Sequence, residues 1–246
     1  MFAVRRRFFV EQFVDNRAVM EGEAAHHLGR VLRAERGQLY ELSDGHSVWL
    51  ARIEEVKRGR VEFALVEELP TPQSALQMTL LLSIVKFDAF ELALEKATEL
   101  GVSTIVPLAA TRSEKALLAA APKRAERWKK ILLEASQQSR RLGIPALASV
   151  AKPEAAFSSQ PEGLRVLLSE RSEAPLLRSV LEGPSPASSP VIGVLAIGPE
   201  GGWTEGEFEC AQRHGFREAS LGPLILRTET AVITALASLN YALGTD

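Results

Sequence analysis

The strongest constraint on what this chain can fold into is a pair of glycine- and proline-containing loops. Each leaves the end of an apolar strand and leads into a helix. The first follows Val191, Ile192, Val194, Leu195 and Ile197 and reads Gly198-Pro199-Glu200-Gly201-Gly202-Trp203. The second reads Leu221-Gly222-Pro223-Leu224-Ile225-Leu226-Arg227-Thr228-Glu229-Thr230-Ala231. A short β-branched run suits a strand buried on both faces. The glycines behind it let backbone approach a ligand where a Cβ would intervene. Two such turns at one edge of a sheet occupy the place where open α/β sheets bind small molecules. Taken singly, either loop reads first as an ordinary tight connection, which Gly-Pro and Gly-Gly after a strand most often mark; together they point to a ligand site.

Local signals frame both loops. Thr204 followed by Glu207 is a capping box, opening a helix with Phe208 and Ala211 at helical spacing that ends near Gly215. In the second loop Pro223 fixes its own φ and lacks a donor. Thr228 or Thr230 is expected to cap a last helix through Ala231, Ala235, Leu239 and Ala242 towards Gly244, with Arg227 and Glu229 at the mouth of the turn.

The rest of the chain divides in two, as its 246 residues allow. An apolar run over 7–10 follows three arginines, and 21–33 predicts a helix with Ala24, Leu28, Val31 and Leu32 on one face. After Gly37 the apolar period becomes two, with hairpin signals at Asp44-Gly45 and Arg58-Gly59, predicting a small antiparallel barrel or sandwich. Pro70 and Pro72 break this pattern, so the domains are expected at 1–72 and 76–246. In the second, strands at 78–84, 104–108 and 164–168 alternate with helices. Asp88 is expected to cap a helix carrying Phe90, Ala93, Leu94 and Ala97. A longer helix over about 122–141 turns Trp128, Ile131, Leu132 and Ala135 inward. A Pro/Ser stretch over 183–190 reads as a surface connection. Such alternation implies an α/β fold with a mostly parallel sheet and helices on both faces.

Composition excludes several classes. The formal net charge is −2 and 46% of residues are apolar, so the chain is globular and total charge neither announces nor excludes nucleic acid. The single cysteine, Cys210, rules out an internal disulfide and a multi-cysteine zinc site and fits a reducing compartment. There is no signal-peptide core and no apolar run long enough to span a bilayer, so a cytoplasmic protein without membrane attachment is expected. GxGxxG, P-loop, HExxH and GxSxG motifs are absent, which disfavours the corresponding enzyme classes. His26 and His27 are adjacent, point in different directions and make a poor metal pair; no metal is expected.

Charge is unevenly distributed. Between Arg112 and Arg141 there are nine Lys or Arg against three Glu. Such a segment offers a localised phosphate-binding face or the solvated face of an amphipathic helix. The first domain adds Arg5-Arg6-Arg7 and Arg30, Arg33 and Arg36.

The loops GPEGGWT and LGPLILRTETA closely resemble the cofactor loops of the RsmE-type family, SPOUT-class methyltransferases that methylate N3 of a uridine in small-subunit ribosomal RNA. Arg6-Arg7-Phe8-Phe9 and the run from Ala25 to Arg33 look like the start of that family's PUA-like RNA-binding domain. Lys86 with Glu95-Lys96-Ala97-Thr98-Glu99-Leu100-Gly101-Val102 looks like its first methyltransferase-domain helix. One departure is Gln137-Gln138-Ser139-Arg140-Arg141, where the family usually reads Glu-Gln before a small residue and Gly-Arg; Gln137 lacks the carboxylate, while Arg141 stays aligned. The resemblance implies an α/β-knot methyltransferase domain behind a PUA-like barrel, S-adenosylmethionine as methyl donor, 16S ribosomal RNA or the small ribosomal subunit as substrate, and a homodimer.

On that reading the cofactor lies among Leu168, Ser169, Ile197, Gly198, Pro199, Glu200, Gly201, Gly202, Leu221, Gly222, Leu226, Arg227, Thr228, Thr230 and Ala231. RNA would meet Arg6, Arg7, His27, Arg30, Arg33, Lys123, Arg124, Arg127, Lys130 and Arg141. Uracil N3 is weakly acidic, so a cation near the carbonyl oxygens would favour the uridinate; Arg227 is the candidate, with Glu200 or Glu229 accepting the proton. A ribose 2′-hydroxyl or another base as target, and a non-catalytic RNA-binding assembly factor, are the alternatives.

Overall fold

The computed structural model describes residues 6–71, 75–182 and 190–244. Most of the expected connection over 183–190 thus lies outside the described residues, as does Pro72. The chain divides into two compact units, one of residues 1–73 with 136–144, the other of 74–135 with 145–246.

In the first unit a six-stranded sheet runs in the order β1-β4-β5-β6-β3-β2. Its strands are β1 (Arg7–Phe9), β2 (Phe13–Val14), β3 (Arg17–Glu21), β4 (Leu39–Ser43), β5 (Val48–Lys57) and β6 (Arg60–Leu69). The period-two pattern explains the long hairpin of β5 and β6, where Val61, Phe63 and Leu65 are buried on one face beside Ala51 and Ile53. At the turn between β4 and β5, the Asp44 carboxylate accepts the backbone N–H groups of His46 and Ser47 at 2.9 and 2.8 Å. One pair departs from the antiparallel expectation, since β1 runs parallel to β4.

The predicted helix over 21–33 is also different. α1 (Gly22–His26) passes directly into a π turn over His27–Val31. The wider turn shifts the helical phase: Leu28 stays fully buried, while Val31 is 61% and Leu32 37% exposed.

The second unit holds a wholly parallel six-stranded sheet in the order β12-β10-β11-β7-β8-β9. Its elements are β7 (Leu76–Ser83), α2 (Phe87–Glu99), β8 (Thr104–Leu108), α3 (Lys115–Ala120), α4 (Ala125–Gln138), β9 (Ala146–Leu147), α5 (Pro153–Ser158), β10 (Leu164–Leu168), α6 (Leu177–Leu181), β11 (Val191–Ile197), α7 (Glu205–Arg213), β12 (Arg217–Ala219) and α8 (Thr228–Leu243). The helix expected over about 122–141 is α4, shorter at both ends and entered through a 3-10 turn at Ala121–Arg124 that holds Pro122, because proline cannot continue an α-helical ladder; the short α3 before it is not anticipated by the sequence pattern. Lys86, rather than Asp88, occupies the N-cap of α2, and Asp88 lies in its first turn. Apolar layers cover both faces: Phe90, Leu94, Trp128, Leu132, Leu236 and Leu239 belong to one, and Phe157, Trp203, Cys210 and Phe216 to the other.

The centre of this sheet is assembled out of order. β11 pairs with β7 from Val191↔Leu76 to Ile197↔Leu82 and with β10 on its other side. At the start of β10 the backbones come close: a Cβ added at Gly163, whose φ is +153°, would lie 2.3 Å from the carbonyl oxygen of Ile192. Gly163→Ala is therefore expected to destabilise the unit by about 3 kcal/mol, the upper range for overpacking a fixed site; the midpoint of urea denaturation measures it.

Candidate functional site

Where β10, β11 and β12 end, three loops enclose a cavity of about 730 Å³, a volume suited to a cofactor-sized ligand. The walls are residues 168–171, residues 197–203 with Glu205 and Phe208, and residues 220–228 with Ala231. The cavity brings together all the sequence-proposed cofactor residues except Thr230, which lies outside the lining in the first turn of α8.

Each wall is held in place by identifiable contacts. The Trp203 indole N–H donates to the Leu168 carbonyl at 3.0 Å, tying the second wall to the end of β10. Gly198 makes room for that indole, since a Cβ there would lie 3.1 Å from two ring atoms. Gly202 sits at φ +69° and donates its N–H to the Pro199 carbonyl at 2.8 Å, closing the turn that glycine permits. Behind it, Glu207 completes the predicted capping box with Thr204; its second oxygen also accepts the Thr111 N–H at 2.9 Å. In the third wall the Ser220 hydroxyl donates to the Gly222 carbonyl and accepts the Gly222 N–H.

Sequence reasoning does not assign Arg112 to the site. Its Nη1 donates to the carbonyls of Gly201 at 2.8 Å and Trp203 at 3.1 Å, so it buttresses the glycine loop from the end of a fourth strand, β8. A Cβ at Gly201 would meet the Arg112 Cβ at 3.2 Å. Arg171 is also new: it pairs with Glu205 and lies 3.6 Å above the Phe208 ring, bridging the first and second walls. Position supplies the only signal for either, since both follow a strand end at the same sheet edge.

Of the three catalytic candidates, Arg227 and Glu200 line the cavity, and Glu229 does not. Both lining residues are exposed, and neither side chain has a hydrogen-bond or ion-pair partner among the described residues. Arg227 is itself the N-cap of α8, without a side-chain cap. Neither Thr228 nor Thr230 therefore has the expected capping role; Thr228 is already helical and buried.

The proposed RNA-contacting residues are distributed differently. Arg6, Arg30 and Arg33 are exposed, and His27 is half-buried in the π turn. Arg7 is engaged, its Nε and Nη2 donating to one oxygen of buried Glu41 at 3.2 and 3.1 Å, while Arg140 reaches the other oxygen at 3.4 Å. Burial makes the Arg141 guanidinium less basic than usual, and its Nε donates to the Gly143 carbonyl at 3.2 Å. Lys123 and Lys130 are exposed, whereas Arg124 and Arg127 both pair with buried Glu91. Among the described residues no three His, Cys, Asp or Glu side chains gather as metal ligands do.

Residues 72–240 match the family described as RNA methyltransferase domain. The chain is 34% identical over 245 residues to the ribosomal RNA small subunit methyltransferase E of Synechocystis sp., covering 95% of this chain and 76% of that one. With the protein of the same name from Aquifex aeolicus the identity is 31% over 240 residues, covering 94% and 97%. The crystal structure of a ribosomal RNA small subunit methyltransferase E from Neisseria gonorrhoeae bound to S-adenosyl methionine superposes with a TM-score of 0.86 at 30% identity, covering 97% of this chain and 98% of that one. With the match running through both glycine loops and along nearly its whole length, this chain belongs to the ribosomal RNA small subunit methyltransferase E family.

Proposed function

We propose that this protein methylates N3 of a uridine in small-subunit ribosomal RNA, with S-adenosylmethionine as donor. The observation that carries the reading is the cavity at the ends of β10, β11 and β12, in a chain related to a structure that holds S-adenosyl methionine. The cavity fits that group: backbone and apolar side chains suit an adenine, while Glu170, Glu200, Arg112 and Arg227 offer both signs of charge to a ligand carrying both. Leu168, Ser169, residues 197–202 and residues 221–228 with Ala231 would hold it, and it would supply an activated methyl group.

The protein's own task is placement and charge. Arg227, with no partner among the described residues, is placed to stabilise negative charge developing on the uracil carbonyl oxygens. Glu200, in the same cavity wall, is the better placed of the two carboxylates to accept the N3 proton. An α/β knot is supported by the insertion of β11 between β10 and β7 and by the return of α8 to pack on α2 and β11. The two-unit division supports a separate PUA-like RNA-binding barrel in the first unit. Leu224 and Ile225, each 78% exposed, and Tyr241, 93% exposed, support a homodimer that covers them. Among the described residues no helix is long and apolar enough to cross a membrane; a cytoplasmic location is the companion proposal.

Calorimetric titration with S-adenosylmethionine is expected to show binding, and small ribosomal subunits or their RNA are expected to accept methyl from it. Nuclease digestion should then yield a nucleoside with the mobility of 3-methyluridine. Absence of binding would overturn the methyltransferase reading, whereas a 2′-O-methyl product would overturn only the choice of atom.

A further inference from the structure

Glu91 is a carboxylate that the proposed mechanism does not use. It lies on the buried side of α2, 7% exposed, within the layer that packs α2 against α4 through Phe90 and Trp128 with ring centroids 4.7 Å apart. Its two oxygens are divided between two arginines: Oε2 accepts from Arg127 Nε at 2.7 Å, and Oε1 faces Arg124 Nη1 at 3.4 Å. The Arg124 guanidinium is fixed a second time, 4.6 Å above the Phe87 ring. Two cations on one anion leave an excess positive charge, and several of their donors stay unused. Both Nη groups of Arg127, and Nη2 and Nε of Arg124, have no partner among the described residues. The Arg127 and Arg124 side chains are 62% and 42% exposed, so those donors meet solvent. Lys123 and Lys130, exposed along the same segment, flank the pair.

We propose that Glu91 is a positioning residue that holds Arg124 and Arg127 as a fork for a backbone phosphate of the substrate RNA. A guanidinium held at one nitrogen by a buried carboxylate loses rotamer freedom before binding, so less ordering cost remains when it meets a phosphate. Its free N–H groups match phosphate oxygens in pairs. This rests on the proposed function, which makes ribosomal RNA the substrate.

Simple charge and positioning predict opposite signs. Removing a negative charge beside an RNA-binding face should tighten RNA binding if Glu91 acts only through its field. If it positions the fork, Glu91→Gln should weaken binding. The expected result is a roughly five- to tenfold higher dissociation constant for small-subunit ribosomal RNA, with a salt slope flatter by about 0.7 to 0.9 for each phosphate no longer held. KM for RNA should rise in step, while the rate at saturating RNA and the calorimetric affinity for S-adenosylmethionine stay at wild-type values. Unchanged or tighter RNA binding by a folded Glu91→Gln protein overturns the proposal. Should that variant fail to fold, Arg124→Lys with Arg127→Lys keeps both charges and removes the fork. The same weakening of RNA binding is expected there, and wild-type affinity would overturn the proposal. A wild-type protein that transfers no methyl to ribosomal RNA refutes the proposed function instead, so the two failures are separately visible.

Discussion

Arg227→Ala is expected to slow single-turnover methylation by about a hundredfold or more, the effect of removing a preorganised charge partner from a developing anion. Cofactor affinity should fall far less, because the rest of the lining stays in place and the Arg227 side chain makes no hydrogen bond or ion pair among the described residues that shapes it. Alkaline medium forms uridinate without help from the protein, so raising the pH should restore the mutant's rate relative to wild type. Parallel loss of cofactor and activity without rescue, at saturating cofactor, would make the arginine a loop-forming residue. Single-turnover rates across pH, beside calorimetry at each pH, distinguish the outcomes.

Gly198→Val is expected to damage binding rather than chemistry. The new Cβ would lie 3.1 Å from the Trp203 indole, which is only 5% exposed and whose N–H holds the Leu168 carbonyl. Moving the ring loosens two of the three cavity walls together. Overpacking of this kind costs roughly 1–3 kcal/mol, which, lost from binding, corresponds to a cofactor dissociation constant higher by about five- to a hundred-and-fiftyfold. The hydrogen bonds of β11 lie behind the loop, so its far-ultraviolet circular dichroism should stay native. Wild-type cofactor affinity in the folded variant would show that the indole does not brace the site.

What is legible in the sequence is encoded locally. The turn at Gly202 and the capping box of Thr204 and Glu207 span a few residues each, and backbone geometry leaves little choice of residue there. Arg112 escapes such a reading because its partners, Gly201 and Trp203, lie 89 and 91 residues further along the chain, and only the parallel sheet brings them to one edge. A count of basic residues between Arg112 and Arg141 treats Arg124 and Arg127 as free cations. It does not register Glu91, which lies 33 and 36 residues earlier and is buried beneath them. An apolar stripe counted at the α-helical period turns Val31 and Leu32 inward, and one π turn changes that phase. Local signals likewise offer Thr228 or Thr230 as the cap, while the helix begins at Thr228 itself, one residue earlier than even a Thr228 cap requires.

The out-of-order sheet has a consequence for how the protein comes into being. β11 can take its place only between two strands already made, one of them more than a hundred residues upstream, and the third cavity wall is translated later still. Contacts that distant close slowly, and during synthesis the segments of α2 to α6 are all made before any of the second and third cavity walls exists. Cofactor cannot rescue an early intermediate, since there is nothing yet for it to grip; it can only trap the finished sheet by mass action. A cell short of cofactor would then be expected to contain more chains in which the last quarter has not yet docked, and proteolysis should begin there.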